Sequence, residues 1–179
     1  MKTKFPLFAA LALAAGAIGC ASPDSYSLGS TLAENDRLVY LAPVLNESDQ
    51  AQAARELQRA LSREIRREGT LRIVPEDQAT TRLDVVVTGY EQESIAYAAK
   101  DTSRPTQYRM TLSARVSFRR LARPAAGILA DVPIFEASRV TGRENFAGGA
   151  DSAAAKLACL PQTAKALSET IVENCANAW

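Results

Sequence analysis

Residues 107–118, QYRMTLSARVSF, decide the fold, because apolar and polar side chains alternate along the whole stretch. One face of the alternation is apolar and consists of Tyr108, Met110, Leu112, Ala114, Val116 and Phe118. Successive side chains of a β-strand point to opposite sides, so a period of two gathers all six on one surface, whereas a helix would scatter them. The stretch therefore predicts a half-buried strand of roughly 40 Å, at about 3.4 Å per residue, whose apolar face needs a cover of helices.

Shorter segments predict the remaining strands. Residues 37–42 form an apolar run that Pro43 ends, residues 83–90 are rich in β-branched side chains, and residues 131–141 follow a turn. Residues 71–74 are predicted to be extended. Residues 91–105 are polar with little period, and we interpret them as a hairpin arm or a mobile loop that leads into the long strand.

Two segments have the period of a helix. In residues 50–68 the apolar stripe is Ala54, Leu57, Leu61 and Ile65, and Gly69 stands where a left-handed C-terminal residue is expected. In residues 151–177 the predicted apolar side consists of Leu157, Leu160, Ala164, Leu167, Ile171 and Cys175. Pro161 interrupts this second segment, which predicts a kink or a short helix followed by a fresh start.

The predicted order is β-α-β-β-β-α. We expect an α+β, two-layer sandwich in which two helices pack on one face of a mostly antiparallel four-stranded sheet.

The N-terminus is predicted to be a targeting segment. Lys2 and Lys4 precede an apolar run that is too short for a permanent transmembrane helix, and Ala17-Ile18-Gly19 leads directly to Cys20. This arrangement resembles the bacterial lipobox, which implies a signal peptide at residues 1–19 and a covalent diacylglycerol and N-acyl chain on Cys20. We expect residues 20–36 to be the lipidated N-terminus and tether, and residues 37–179 to form a single domain.

The composition limits the function. Removing Lys2 and Lys4 from 21 basic residues leaves 19 against 20 acidic ones, so the mature chain is nearly neutral and does not suggest a nucleic-acid binder. The chain has no histidine, which excludes Ser-His and Cys-His nucleophiles. No motif for a metal or cofactor is present. Cys159 and Cys175 are 16 residues apart on one predicted helix, about 24 Å at 1.5 Å per residue, so they are predicted to be free thiols.

Arginines form two patterns that suit anions. Arg109, Arg115 and Arg119 lie on the polar face of the long strand, and arginine binds phosphate through two hydrogen bonds. The alternative is a solvated sheet face or a plain protein contact. The weaker candidate is the four-residue ladder of the first helix, Arg55, Arg59, Arg63 and Arg67, which is either a site for anionic headgroups or phosphates or a solvated face relieved by Glu56, Glu64 and Glu68.

The chain resembles the LptE family of lipopolysaccharide-assembly lipoproteins along nearly its whole mature length. The resemblance rests on Tyr26-Ser27-Leu28-Gly29, on residues 39–46 and 65–73, on Gln107-Tyr108-Arg109-Met110, and on Leu160-Pro161 with the terminal Trp179. It implies a non-enzymatic outer-membrane lipoprotein that acts as partner and plug of the β-barrel LptD, with its domain facing the periplasm or lying inside the barrel, and that helps to deliver lipopolysaccharide. The basic groups of the strand suit a phosphorylated lipid.

Two other classes stay open. One is a periplasmic binding or scaffold lipoprotein that serves another envelope machine. The other is a lipid-anchored hydrolase that uses carboxylates, or serine with Lys156 or Lys165, although no spacing predicts its site.

Overall fold

The computed structural model of the protein describes residues 32–99, 101–122, 127, 130–148 and 152–178, with the side chains of residues 101–103, 152 and 153 left aside. A 3-10 turn at Glu34–Asp36 precedes two helices and six strands. In chain order these are β1 (Leu38–Leu41), β2 (Leu45–Asn46), α1 (Ala53–Glu68), β3 (Arg72–Ile73), β4 (Thr81–Ala98), β5 (Asp101–Arg120), β6 (Val132–Ala147) and α2 (Ser152–Ala176).

The α+β prediction is confirmed, but the prediction of a mostly antiparallel four-stranded sheet is wrong. The sheet has six strands in the order β3-β1-β4-β5-β6, with β2 also paired to β4. Strands β4, β5 and β6 are antiparallel, whereas β1 runs parallel to β3 and β4, and β2 runs parallel to β4. The added strands β2 and β3 have two residues each, too few for an alternation to be visible, and the α1 crossover returns the chain in the parallel direction.

Strand β5 follows the predicted alternation. On its apolar face, at most 1% of the surface is exposed at each of Met110, Leu112, Ala114, Val116 and Phe118. The same cluster takes in the apolar residues of both helices, so the core lies between the helices and one face of the sheet. Residues 91–98 and 101–105 extend this sheet, because β4 runs to Ala98 and β5 begins at Asp101, so the hairpin-arm interpretation applies.

Helix α1 has the predicted buried stripe and end. Leu57, Leu61 and Ile65 are fully buried. Gly69 has φ 84°, and its N–H donates to the Ile65 carbonyl at 3.2 Å. A side chain at this left-handed position would be strained, which explains why glycine ends the helix.

Helix α2 differs from its prediction in two ways. It runs without a break from Ser152 to Ala176, so the expected restart at Pro161 is wrong. Pro161 removes only one backbone hydrogen bond from the helix, because proline has no N–H to donate. Packing of α2 against α1 and β6 stabilises the helix on both sides of Pro161. Leu157, assigned to the apolar side, is 59% exposed, while Leu160 is 2% exposed.

The segment before β1 is packed against the domain. Leu32 is 4% and Asp36 is 3% exposed, although the sequence analysis assigns both to the tether. The described part of the chain therefore enters the fold at the end of the sheet where β1 and β3 begin.

Candidate functional site

The candidate site is the sheet face that the helices leave uncovered. Its centre is made of small polar side chains on β5, and Thr111 and Ser113 are only 8% and 5% exposed there. Longer side chains from the two neighbouring strands reach across them, since Arg139 Nη2 on β6 lies 3.6 Å from Glu91 Oε1 on β4. This face is therefore lined with ion pairs.

Each of the three predicted strand arginines faces a carboxylate. Arg109 donates to Glu93 Oε1 at 3.2 Å and to Asn145 Oδ1 at 3.3 Å. Arg115 Nη2 donates to both carboxylate oxygens of Glu47 at 3.1 Å. Because these side chains are 39% to 61% exposed, the pairs are screened by water and are open to exchange.

Arg119 belongs to a larger network at the other end of the face. It donates to Asp84 Oδ2 at 2.6 Å, and its Nε lies 4.0 Å from Asp131 Oδ2. Asp84 also accepts two hydrogen bonds from Arg82 Nε, at 2.9 and 3.1 Å. The hydrogen bond with Asp84 raises the pKa of Arg82, so this guanidinium is held in its charged form.

The three arginines do not form one pocket. Arg109 and Arg119 are ten residues apart on β5, a separation of about 34 Å at 3.4 Å per residue. One phosphate group therefore cannot contact all of them. The face offers separate contact points along an extended surface instead.

Only two of the four ladder arginines of α1, Arg59 and Arg67, have an ion-pair partner among the described residues. Arg67 pairs with Glu64 at 2.6 Å and lies 3.6 Å from Glu169 on α2, and its pKa is raised by the hydrogen bond to Glu64. Arg59 pairs with Glu56 at 3.0 Å. Arg55 and Arg63 form no ion pair with any residue that the structure describes.

An ion pair between a half-exposed arginine and a buried aspartate, which the sequence does not predict, joins the entry of the domain to the end of β5. Arg120 Nε donates to Asp36 Oδ1 at 2.6 Å, and Arg120 Nη2 donates to the other oxygen. The Asp36 side chain is 5% exposed, and its hydrogen bond raises the pKa of Arg120. The residues are 84 positions apart, and no local pattern signals such a pair.

The cysteines of α2 are free, as predicted. Burial raises the pKa of Cys175 to about 12. Burial also raises the pKa of Cys159, against a hydrogen bond with Thr163 that lowers it. Both thiols are therefore protonated and unreactive at neutral pH. Cys20 lies outside the described residues.

The described ranges contain no group of three or more histidine, cysteine, aspartate or glutamate side chains suited to a metal ion. None of their helices is both long and apolar enough to cross a membrane. Lys165 lies 3.5 Å from Glu169, and Lys156 lies over the ring of Tyr90 at 5.3 Å.

Two helices on one face of a mixed sheet and an open face of exposed ion pairs define a small α+β domain. The chain belongs to the LptE family, described as lipopolysaccharide-assembly, whose model matches residues 37–173. No curated protein sequence matches the chain significantly.

The chain is similar to several solved structures at low sequence identity. The hypothetical protein CT253 from Chlamydia trachomatis is 12% identical with a TM-score of 0.53, and the match covers 79% of this chain and 96% of that one. Rare lipoprotein B from Shewanella oneidensis is 13% identical with a TM-score of 0.48, covering 78% and 93%. The minor lipoprotein from Acinetobacter baumannii is 10% identical with a TM-score of 0.48, covering 79% and 93%.

Proposed function

We propose that this protein is an outer-membrane lipoprotein of lipopolysaccharide assembly that acts as partner and plug of an LptD-type β-barrel. The observation that carries the proposal is the family match over residues 37–173, which includes both helices nearly in full and all six strands. Its action is contact rather than catalysis, and no cofactor takes part.

We propose that lipid on Cys20 anchors the protein in the membrane after residues 1–19 are removed as a signal peptide. Residues 20–36 then lead to a single domain at 37–179. Two buried acyl chains are enough for stable membrane attachment, since each buried CH₂ contributes about 0.8 kcal/mol. The mass of the N-terminal peptide measures the modification directly. A processed Cys20→Ser protein that still fractionates with the outer membrane would contradict it.

The barrel partnership is tested by purification of the tagged lipoprotein from envelope membranes. We expect the LptD-type barrel to be recovered with it, and depletion of the lipoprotein to lower both surface lipopolysaccharide and correctly assembled barrel. Recovery of a different envelope machine, with lipopolysaccharide at its normal level, would favour the alternative scaffold role.

Lipopolysaccharide is proposed to contact the open sheet face through Arg109, Arg115 and Arg119. Exposed ion pairs contribute about 0–1 kcal/mol, so a phosphate can displace the carboxylates at little cost. Because the three groups are spread along β5, they suit a ligand with several anionic groups.

The direct test replaces all three arginines by glutamine and measures lipopolysaccharide binding and barrel association separately. We expect binding to fall and barrel association to be retained. The matched control, R72Q/K156Q/K165Q, removes three positive charges from β3 and α2, and it should bind normally. An equal loss in both variants would show that only net charge matters and would remove the site.

A further inference from the structure

Three arginines without an ion pair among the described residues, Arg55, Arg63 and Arg66, lie together on the outer side of α1. At 100° per residue, Arg55, Arg59, Ser62, Arg63 and Arg66 lie on one side of the helix, away from its buried stripe. All four arginines are exposed. Residues 55 and 66 are separated by about 16 Å along the axis, so the charges form a stripe.

Carboxylates of the described residues neutralise only one of the four arginines of this stripe. Among the described ion pairs, Arg59 is the one arginine of the four that has a partner, Glu56. At 100° per residue, Glu56 lies at the edge of the stripe. The remaining acidic residues of α1 are engaged elsewhere, since Glu64 binds Arg67 and Glu68 binds the N–H and hydroxyl of Thr70. The open sheet face differs, because its three candidate arginines, Arg109, Arg115 and Arg119, are each paired with a carboxylate.

The stripe lies near the point where the chain enters the domain. Helix α1 ends at Gly69, next to β3, and the Arg72 N–H donates to the Arg37 carbonyl at 2.8 Å. Twelve residues separate Cys20 from the buried Leu32, so the connection spans at most about 40 Å. A lipid on Cys20 therefore keeps this basic helix within reach of the bilayer surface.

We propose that, in the chain that is not inside a barrel, the outer face of α1, through Arg55, Arg59, Arg63 and Arg66, docks on anionic phospholipid headgroups of the leaflet that holds the anchor. This inference rests on the lipid anchor of the proposed function. A stripe without apolar side chains binds through charge alone, so the helix lies along the membrane surface without entering it, and salt weakens the contact. Docking fixes the side of the domain that faces the membrane and leaves the sheet face free.

The test uses the mature, lipidated chain in vesicles of phosphatidylcholine with and without phosphatidylglycerol. A fluorophore on Ser62→Cys reports the stripe, and one on Gln162→Cys, exposed on α2, is the control position. Cys159 and Cys175 are too buried to be labelled. A quencher on the lipid headgroups measures contact.

We expect quenching at position 62 only with phosphatidylglycerol, reversed by high salt, and none at position 162. The R55Q/R63Q/R66Q variant should lower the ratio of docked to free domain roughly 100-fold, at about fivefold per arginine. The matched control, R104Q/R139Q/R143Q, should keep the wild-type ratio. Equal quenching in both kinds of vesicle, or an unchanged ratio in the first variant, would overturn the inference.

Two further readouts separate the alternatives. Phosphatidylcholine vesicles that carry lipopolysaccharide test that lipid as the ligand, and quenching at position 62 with it alone would overturn the proposal in favour of lipopolysaccharide. The mass of the N-terminal peptide reports the acyl chains independently. If a chain without acyl groups contacts phosphatidylglycerol, the lipid anchor is refuted and the docking face is supported. If an acylated chain makes no contact, the lipid anchor is supported and the docking face is refuted.

Discussion

Gly142 on β6 lies directly against Leu167 on α2. A Cβ atom at position 142 would lie 2.6 Å from Leu167 Cβ and 2.7 Å from Leu167 Cα. No side chain fits at such distances, so the glycine lets the helix approach the edge strand closely.

Replacing Gly142 by alanine should therefore lower the free energy of unfolding by about 2–3 kcal/mol through overpacking. Gly89→Ala on β4 is the control, because its Cβ would meet Ser113 Cβ at an ordinary 3.8 Å. Urea denaturation measures both, and the control should be neutral or slightly stabilising. A similar loss in both variants would mean that strand flexibility, and not the contact with α2, requires the glycine.

The Asp36–Arg120 pair predicts a stability contribution from the segment before β1. Asp36→Asn removes the charge that neutralises Arg120, and we expect a loss of about 2 kcal/mol, less than for a fully buried pair because the Arg120 side chain is 36% exposed. Glu47→Gln, which breaks the exposed pair with Arg115, should cost under about 0.5 kcal/mol. If thermal denaturation gives equal losses, the entry segment does not depend on this pair.

The thiols predict a pH dependence at alkaline pH. The pKa of Cys175 is raised from 9.0 to about 12 in the folded chain, so above pH 9 the unfolded chain loses a proton that the native chain keeps. Stability should therefore fall as pH rises from 9 toward 12. Comparison of wild type with Cys175→Ala over this range isolates the effect, since the variant lacks this slope.

Thiol labelling at pH 8 supplies an independent measurement. Both cysteines of the folded chain should resist alkylation, and both should react fully in denaturant. A mass gain of two hydrogens on reduction would contradict the free thiols.

Leu157 and Leu160 test the corrected face of α2. Leu160→Ala should lower the free energy of unfolding by about 2–5 kcal/mol, because it empties a buried site. Leu157→Ala should change it by less than about 0.5 kcal/mol, since that side chain is largely exposed. If chemical denaturation gives equal losses of unfolding free energy for the two variants, Leu157 is buried as the sequence predicts.

The elements that the sequence predicted well are those with a long local period. The alternation of residues 107–118 located β5 and its buried face, and the stripe of Leu57, Leu61 and Ile65 with Gly69 located α1 and its end. Strands β2 and β3 were missed as sheet members because two residues carry no period, and they become strands only by pairing with β4 and β1.

The candidate site was predictable in its residues and not in its electrostatics. Strand periodicity places Arg109, Arg115 and Arg119 on the polar face, but Glu47, which pairs with Arg115, is 68 positions away. A residue distant in sequence also distinguishes the arginines of α1. Glu169 on α2 lies close to Arg67, whereas Arg63 has no described ion-pair partner. Pairings of this kind depend on the folded arrangement of distant segments.

By itself, the sequence determined the α+β class, the main strand, both helices and the family, since each follows from periodicity or from short motifs in order along the chain. Only the tertiary structure decided the parallel pairing of β1, the close contact of Gly142 with Leu167, the Asp36–Arg120 pair and which arginines stay unpaired. The physical reason is that side-chain period is a local property of the backbone, whereas burial and ion pairing depend on which distant residues folding brings within a few ångströms.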